Sequence, residues 1–255
     1  SDSQLLYTQA MPKQGDEQDS SEKASLGEDE QTEIMRFNLL SGELSNLTQS
    51  DSSEYSATPL PNKPGFSVIR VNKEGLQELW QMDVFGKAVQ HLVPIAEPVG
   101  YQVWLNNSEL LLFILGEPHT LQRVDTKYPE VAGSIIDTDI GASLFRLKSS
   151  DWFLYTSTKT HNFLYGYNVK TNKTRELVRM PLGSEYFSLS PNGDLLTSDG
   201  EKLWHIKVLV NEQELIVDGK FTHLKIKHEH CDKGVSRTAV SQDMSMIALV
   251  CPRKT

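Results

Sequence analysis

The chain has 255 residues, with 25 Lys and Arg against 34 Asp and Glu, seven His, two Cys and 38% hydrophobic residues. That length allows one large domain or two ordinary ones, the composition is that of a soluble globular protein, and a net charge of −9 gives no basic surface for nucleic acid or an anionic membrane. No run approaches the roughly 18 apolar residues of a membrane span, no secretory leader opens the chain, and two cysteines allow at most one bridge rather than a disulfide framework.

In chain order, Gln4 to Thr8 reads as a strand, and Ser1 to Leu5 follow no Met, as in a processed or trimmed chain. The stretch from about 9 to 31 is predicted to be a mobile acidic loop. It carries Asp16, Glu17, Asp19, Glu22, Glu28, Asp29 and Glu30 against Lys13 and Lys23, and too little apolar surface to pack. It reads as a solvated insertion, with partner or cation binding as the functional alternative.

A pattern then recurs: an apolar residue, two intervening positions, an apolar residue, then Asp or Asn. It runs Ile34-Met35-Arg36-Phe37-Asn38, Leu79-Trp80-Gln81-Met82-Asp83, Leu121-Gln122-Arg123-Val124-Asp125, Leu164-Tyr165-Gly166-Tyr167-Asn168 and Leu203-Trp204-His205-Ile206-Lys207, at intervals of 39 to 45 residues. Period-two alternation makes each copy a strand. The closing Asp or Asn suits a turn, because its side chain bonds the backbone two residues on; Lys207 breaks that rule. A strand–turn–strand element precedes each later copy and a further strand follows it. Four strands every ~40–45 residues is the spacing of propeller blades, which stack because a single four-stranded sheet buries too little alone.

The sequence therefore predicts an all-β protein, a single β-propeller domain over residues 1–255 built of four-stranded antiparallel blades. Blades are read at about 55–93, 101–136, 144–180 and 186–219, with only two strands at 236–251. The strands at 4–8, 32–38 and 44–48 then allow two closures. Six blades, with N-terminal strands missing, is the favoured expectation. The alternative is five, the C-terminal pair joining 32–48 and leaving 4–8 spare.

Several phrases resemble TolB-like propellers. Ser188-Leu189-Ser190-Pro191-Asn192-Gly193 is similar to their Ser-Pro-Asp-Gly turn, with Lys202-Leu203-Trp204 as the next strand. Ser53-Glu54-Tyr55-Ser56, Phe66 to Val71, Pro98-Val99-Gly100-Tyr101, Leu112 to Pro118, Asp139-Ile140-Gly141, Gly183-Ser184-Glu185 and Ser236 to Ser241 resemble a group of exported bacterial TolB-like proteins with WD-like repeats. The resemblance covers residues 1–251 in order. It implies a six-bladed ring, a periplasmic or otherwise exported protein, and a binding scaffold rather than an established reaction; the partner-binding N-terminal domain of TolB has no counterpart here.

The connections into the innermost strands carry Glu54, Tyr55, Tyr101, Gln102, Asp139, Glu185, Tyr186 and Arg237. These eight are the candidate ligand- or partner-binding residues, a polar mouth for a protein or peptide partner, with satisfaction of loop backbones as the plainer alternative. Gln102 and Ala142 stand where the resembling proteins usually carry His and Arg, which weakens an enzymatic reading. No catalytic residue, metal site or cofactor is predicted, although hydrolase or lyase chemistry at the same mouth is the alternative. A protein or peptide partner is expected, without nucleic acid or membrane insertion, and the protein is expected to be a monomer. His228-Glu229-His230-Cys231-Asp232 is the densest metal-competent segment but lacks a second half-site, and a Cys231–Cys251 bridge is a further possibility. Asp137 and Asp139 read as a loop pair rather than a paired-carboxylate site. Trp80, Trp104, Trp152 and Trp204 are expected in the core.

Overall fold

A computed structural model describes residues 3–12, 30–159, 162–211, 214–225, 231 and 233–251. Every regular element among them is a strand. The first sheet holds β1 (Gln4–Pro12), β2 (Glu30–Asn38) and β3 (Leu44–Asn46). The next is β4 (Ser53–Pro59), β5 (Phe66–Val71), β6 (Gln77–Met82) and β7 (Ala88–His91). Then come β8 (Val99–Trp104), β9 (Glu109–Ile114), β10 (Thr120–Asp125) and β11 (Ser134–Thr138), followed by β12 (Ile140–Arg146), β13 (Trp152–Ser157), β14 (Phe163–Asn168) and β15 (Lys173–Arg179). The last four-stranded sheet is β16 (Phe187–Leu189), β17 (Asp194–Ser198), β18 (Leu203–Asn211) and β19 (Glu214–Leu224), and β20 (Arg237–Val240) pairs β21 (Ile247–Val250). These are the four-stranded antiparallel blades of an all-β propeller, in sequence order within each sheet.

The favoured six blades are corrected to five. Twenty-one strands are described, enough for five four-stranded blades and too few for six. Nor is the 4–8 segment spare: β1 pairs β2 residue for residue, from Gln4 opposite Asn38 to Pro12 opposite Glu30. Both ends of the predicted 9–31 loop are therefore strand, and 13–29 lie outside the described residues.

The repeat explains the packing. Its first and fourth positions point to opposite faces of a strand, yet Leu79 and Met82, Leu121 and Val124, Leu164 and Tyr167, and Leu203 and Ile206 are all buried. Such a sheet must be covered on both sides. The second strand of each complete blade is accordingly apolar and enclosed: Phe153, Leu154 and Tyr155 in β13, Leu110 to Ile114 in β9. The fourth strands are mostly open to solvent, as in β15.

The turn expectation also holds. Asn38, Asp83, Asp125 and Asn168 each accept, through Oδ1, the backbone N–H two residues on, at 2.8–3.0 Å. Lys207 offers no such acceptor, and there β18 runs on to Asn211 and returns as β19. Of the four tryptophans, Trp104 and Trp152 are in the core, while Trp80 and Trp204 are half-buried against His91 and His223.

The chain divides into two compact units, one of Ser3–Leu115 with Arg123–Ser134, the other of Gly116–Gln122 with Ile135–Thr255. In the first, Ile69, Leu79, Trp104, Leu110 and Leu112 form the main core. In the second, Trp152, Leu154, Phe187, Leu195 and Ile206 do. A disulfide joins Cys231 to Cys251, 20 residues apart, and so brackets β20 and β21. A two-stranded sheet is marginal alone, and closing such a loop stabilises by roughly 3 kcal/mol.

Two stability outcomes follow from this geometry. Cys251→Ser should lower unfolding free energy by about 3 kcal/mol in denaturant titration, and reduction of the wild type should match it. Gly193, in the Pro191-Asn192-Gly193 turn, has φ +88° and a Cβ there would lie 2.1 Å from the Val208 carbonyl oxygen. Gly193→Ala should therefore cost more than about 1 kcal/mol in the same titration; an unchanged midpoint for either variant contradicts the assignment.

Candidate functional site

Within the first unit, Glu54 lies on β4 directly opposite Arg70 on β5. Its side chain is 0% exposed. The Ser50 hydroxyl donates to Oε1 at 2.6 Å, and Arg70 Nε stands 3.0 Å from the same oxygen as an ion pair without hydrogen-bond alignment. Oε2 has no hydrogen-bond partner among the described residues. A second buried carboxylate, Glu33, accepts from Gln31 Nε2 at 2.7 Å, from the Ser50 N–H at 3.3 Å and from the Thr48 hydroxyl. Burial pushes the Glu54 carboxyl up to about 7; the Ser50 hydrogen bond and Arg70 pull the other way, and the Glu33 charge adds to the rise.

Tyr55 and Tyr101 meet edge to face with centroids 6.4 Å apart, and Tyr101 also leans on Phe113 at 6.0 Å. Burial, with a smaller contribution from Tyr101, raises the Tyr55 hydroxyl to about 12. Gln102 is buried and fully employed: Oε1 accepts from Ser67 Oγ at 2.6 Å and Nε2 donates to the Ser56 carbonyl at 3.2 Å. Trp104 Nε1 donates to the same Ser67 hydroxyl at 2.9 Å. Gln102 thus ties β8 to the β4–β5 hairpin.

In the second unit, Asp139 sits at φ +54°. Its carbonyl accepts from Thr158 N at 2.7 Å and Oγ1 at 2.9 Å and from Ser157 Oγ at 3.2 Å, while Oδ2 takes the Thr138 hydroxyl at 2.9 Å. Its role there is to close the β11–β12 corner. Asp137, two residues earlier, accepts from the buried Tyr155 hydroxyl at 2.6 Å and pairs with Lys159. Burial, then the Asp137 bond, holds the Tyr155 hydroxyl well above its ordinary range.

Glu185 is exposed and makes no ion pair among the described residues. Tyr186 and Arg237 come together: the Arg237 guanidinium carbon lies 3.1 Å from the Tyr186 ring centroid. They border a small recess of about 210 Å³, counting space open to solvent, lined also by Thr197, Ser198, Ser236 and Thr238. The eight predicted residues thus fall into four within each unit, and of the polar ones Glu54, Gln102 and Asp139 are engaged in structural bonds. Sequence reading missed Glu33 and Arg70; the only signal for Arg70 was a charge on the largely apolar β5, and Glu33 sits among other polar residues of β2. The His228–Asp232 segment lies outside the described residues except for Cys231, whose sulfur is in the disulfide. Among the described residues no group of three or more His, Cys, Asp or Glu is arranged to hold a metal, and no helix is long and apolar enough to cross a membrane.

No protein-family model and no curated protein matches the chain in sequence. Solved structures do match in fold. TolB from Acinetobacter baumannii is similar with a TM-score of 0.56 and 12% identity, over 85% of this chain and 53% of that one. This chain therefore spans about half the length of that TolB. A gluconolactonase from Xanthomonas campestris aligns at 0.59 and 10%, over 86% and 75%. An oligogalacturonate lyase in complex with manganese aligns at 0.51 and 13%, over 69% and 56%. These likenesses establish the propeller fold, and since two of the three are named as enzymes, the fold alone does not choose between binding and catalysis.

The Glu54 site makes stability pH-dependent with a definite sign. Its folded-state value of about 7 lies above the ordinary 4.5, so the folded protein holds this proton more tightly. The associated stabilisation is complete below about pH 4.5 and is lost as pH rises through 7. Glu54→Gln should therefore gain on the wild type, by on the order of 2 kcal/mol, between about pH 5 and pH 8. Urea titrations of both proteins at the two pH values measure it; parallel pH profiles would remove Glu54 as the titrating group.

Proposed function

We propose that the protein is a non-enzymatic, monomeric binding scaffold that engages a protein or peptide partner at the Tyr186–Arg237 recess. The observation that carries this reading is the stacked guanidinium at the rim of a small open recess. A cationic group held flat on an aromatic face is pre-organised for an incoming polar side chain or chain end. The recess is shallow, with only about 20 Å³ of enclosed volume, far below the usual range of ~300–1,000 Å³ for pockets that enclose whole small molecules. It fits one anchor group of a partner whose remaining contacts spread over the surrounding surface. The TolB-like phrases in the sequence and the TolB-like fold agree with this reading, and the disulfide agrees with an exported protein, because such bridges persist in oxidising compartments.

The alternative is a hydrolase or lyase, for which the gluconolactonase and lyase folds are the support. Selection of displayed peptides on the immobilised protein separates the two. Enrichment by the wild type that Arg237→Glu abolishes is the expected result. Lactone- or polysaccharide-cleaving activity in the same preparation, lost with the same substitution, would replace binding with catalysis.

A further inference from the structure

Resting on that reading of the recess, we infer that the group it captures is a carboxylate, presented by a peptide as its C-terminus or as an Asp or Glu side chain. The chain is acidic, at −9 overall, and several of its cations are already matched by a carboxylate. Arg70 pairs with Glu54, Arg123 with Glu109, Lys159 with Asp137, and Lys207 with Asp194. Arg237 is exposed and has no carboxylate within ion-pair distance among the described residues. Its Nη1 donates to the Ser236 carbonyl at 3.0 Å, which together with the Tyr186 ring fixes the plane of the guanidinium. What stays open is the fork of Nε and Nη2, two parallel N–H groups whose spacing matches the two oxygens of a carboxylate.

The hydroxyls around the recess decide between a carboxylate and a larger anion. Thr197 Oγ1 donates to the Tyr186 carbonyl at 2.7 Å, Ser236 Oγ donates to the Val250 carbonyl at 3.2 Å, and Thr238 Oγ1 is bonded to Ser188 Oγ. Ser198 Oγ accepts from the Gly200 N–H at 3.0 Å and keeps its own proton for a ligand. Thr197 and Ser236 are thus committed to carbonyls, and the Arg237 fork with the Ser198 hydroxyl supplies donors to a guest. Two oxygens and a single charge match the one guanidinium and its fork; a phosphate, with a greater charge, would meet only one cation here. A neutral guest would leave the guanidinium unmatched.

The test uses the whole chain, immobilised with its disulfide intact, and pools of short peptides without acidic side chains. One pool ends in a free carboxylate, a second in an amide, and a third in an amide with a single internal Glu. Retention of the free-acid pool above the amide pool is expected. Retention of the third pool as well assigns the carboxylate to a side chain, and its absence assigns it to the chain end; each supports the inference. Arg237→Lys, which keeps the charge and loses the fork, should weaken retention by about tenfold or more. Inorganic phosphate should compete no better than acetate. Equal retention of the acid and amide pools, both lost on Arg237→Ala, would overturn the carboxylate and leave the scaffold standing. No retention of any pool, or retention that Arg237→Ala and Arg237→Lys leave unchanged, would overturn both.

Discussion

Each blade is a thin sheet with apolar side chains on both faces, so none can be stable until another sheet lies against each side. That constraint comes from the repeat itself, where a residue and its third neighbour project to opposite faces and both are buried. It dictates the enclosed second strands, the open fourth strands and the tight turns between them. It also explains why some polar side chains in the interior are held in networks. Gln102 and Ser67 share their bonds with Trp104 and a carbonyl, which lets one blade grip the next without leaving a donor stranded.

Glu54 and Glu33 stand at the limit of that rule. Glu54 is withdrawn from water beside the Glu33 charge, and the Ser50 hydroxyl with one guanidinium only partly compensates. The fold is stabilised most when the Glu54 carboxyl carries its proton. The Tyr186–Arg237 recess is built on the opposite principle, with its charge left in solvent and its geometry held by one carbonyl and one ring.

Much of the architecture was legible from residues. The Asp and Asn that close four of the repeats do accept the backbone N–H two positions on, and Lys207 marks the place where the hairpin overruns. Blade number was not legible, because period and strand type say nothing of how many sheets a ring accommodates, and β1 as a partner of β2 depends on pairing across residues 13–29. Of the eight candidate site residues, the stacked Tyr186 and Arg237 were placed at a recess, while Gln102 and Asp139 became structural. Sequence could mark them as polar residues at strand ends; only the hydrogen-bond partners distinguish a ligand contact from a corner brace. Arg70 escaped notice because a charge within β5 looks like an outward-facing strand position until its partner on β4 is known.

The overrun at Lys207 has a mechanical consequence. Leu215, at the start of β19, packs where a Cβ on Gly166 would lie 2.2 Å from its Cδ2, so the bare backbone of β14 is the socket that seats the ribbon. Val208 is anchored beside it in the same core, whereas Leu209 and Ile216, paired with each other on the opposite face of the ribbon, are exposed. The ribbon is therefore pinned by alternate residues along one edge, like a hinge leaf. Its free face can be recut by substitution, or the strands between which it turns lengthened, without disturbing the blades that carry it.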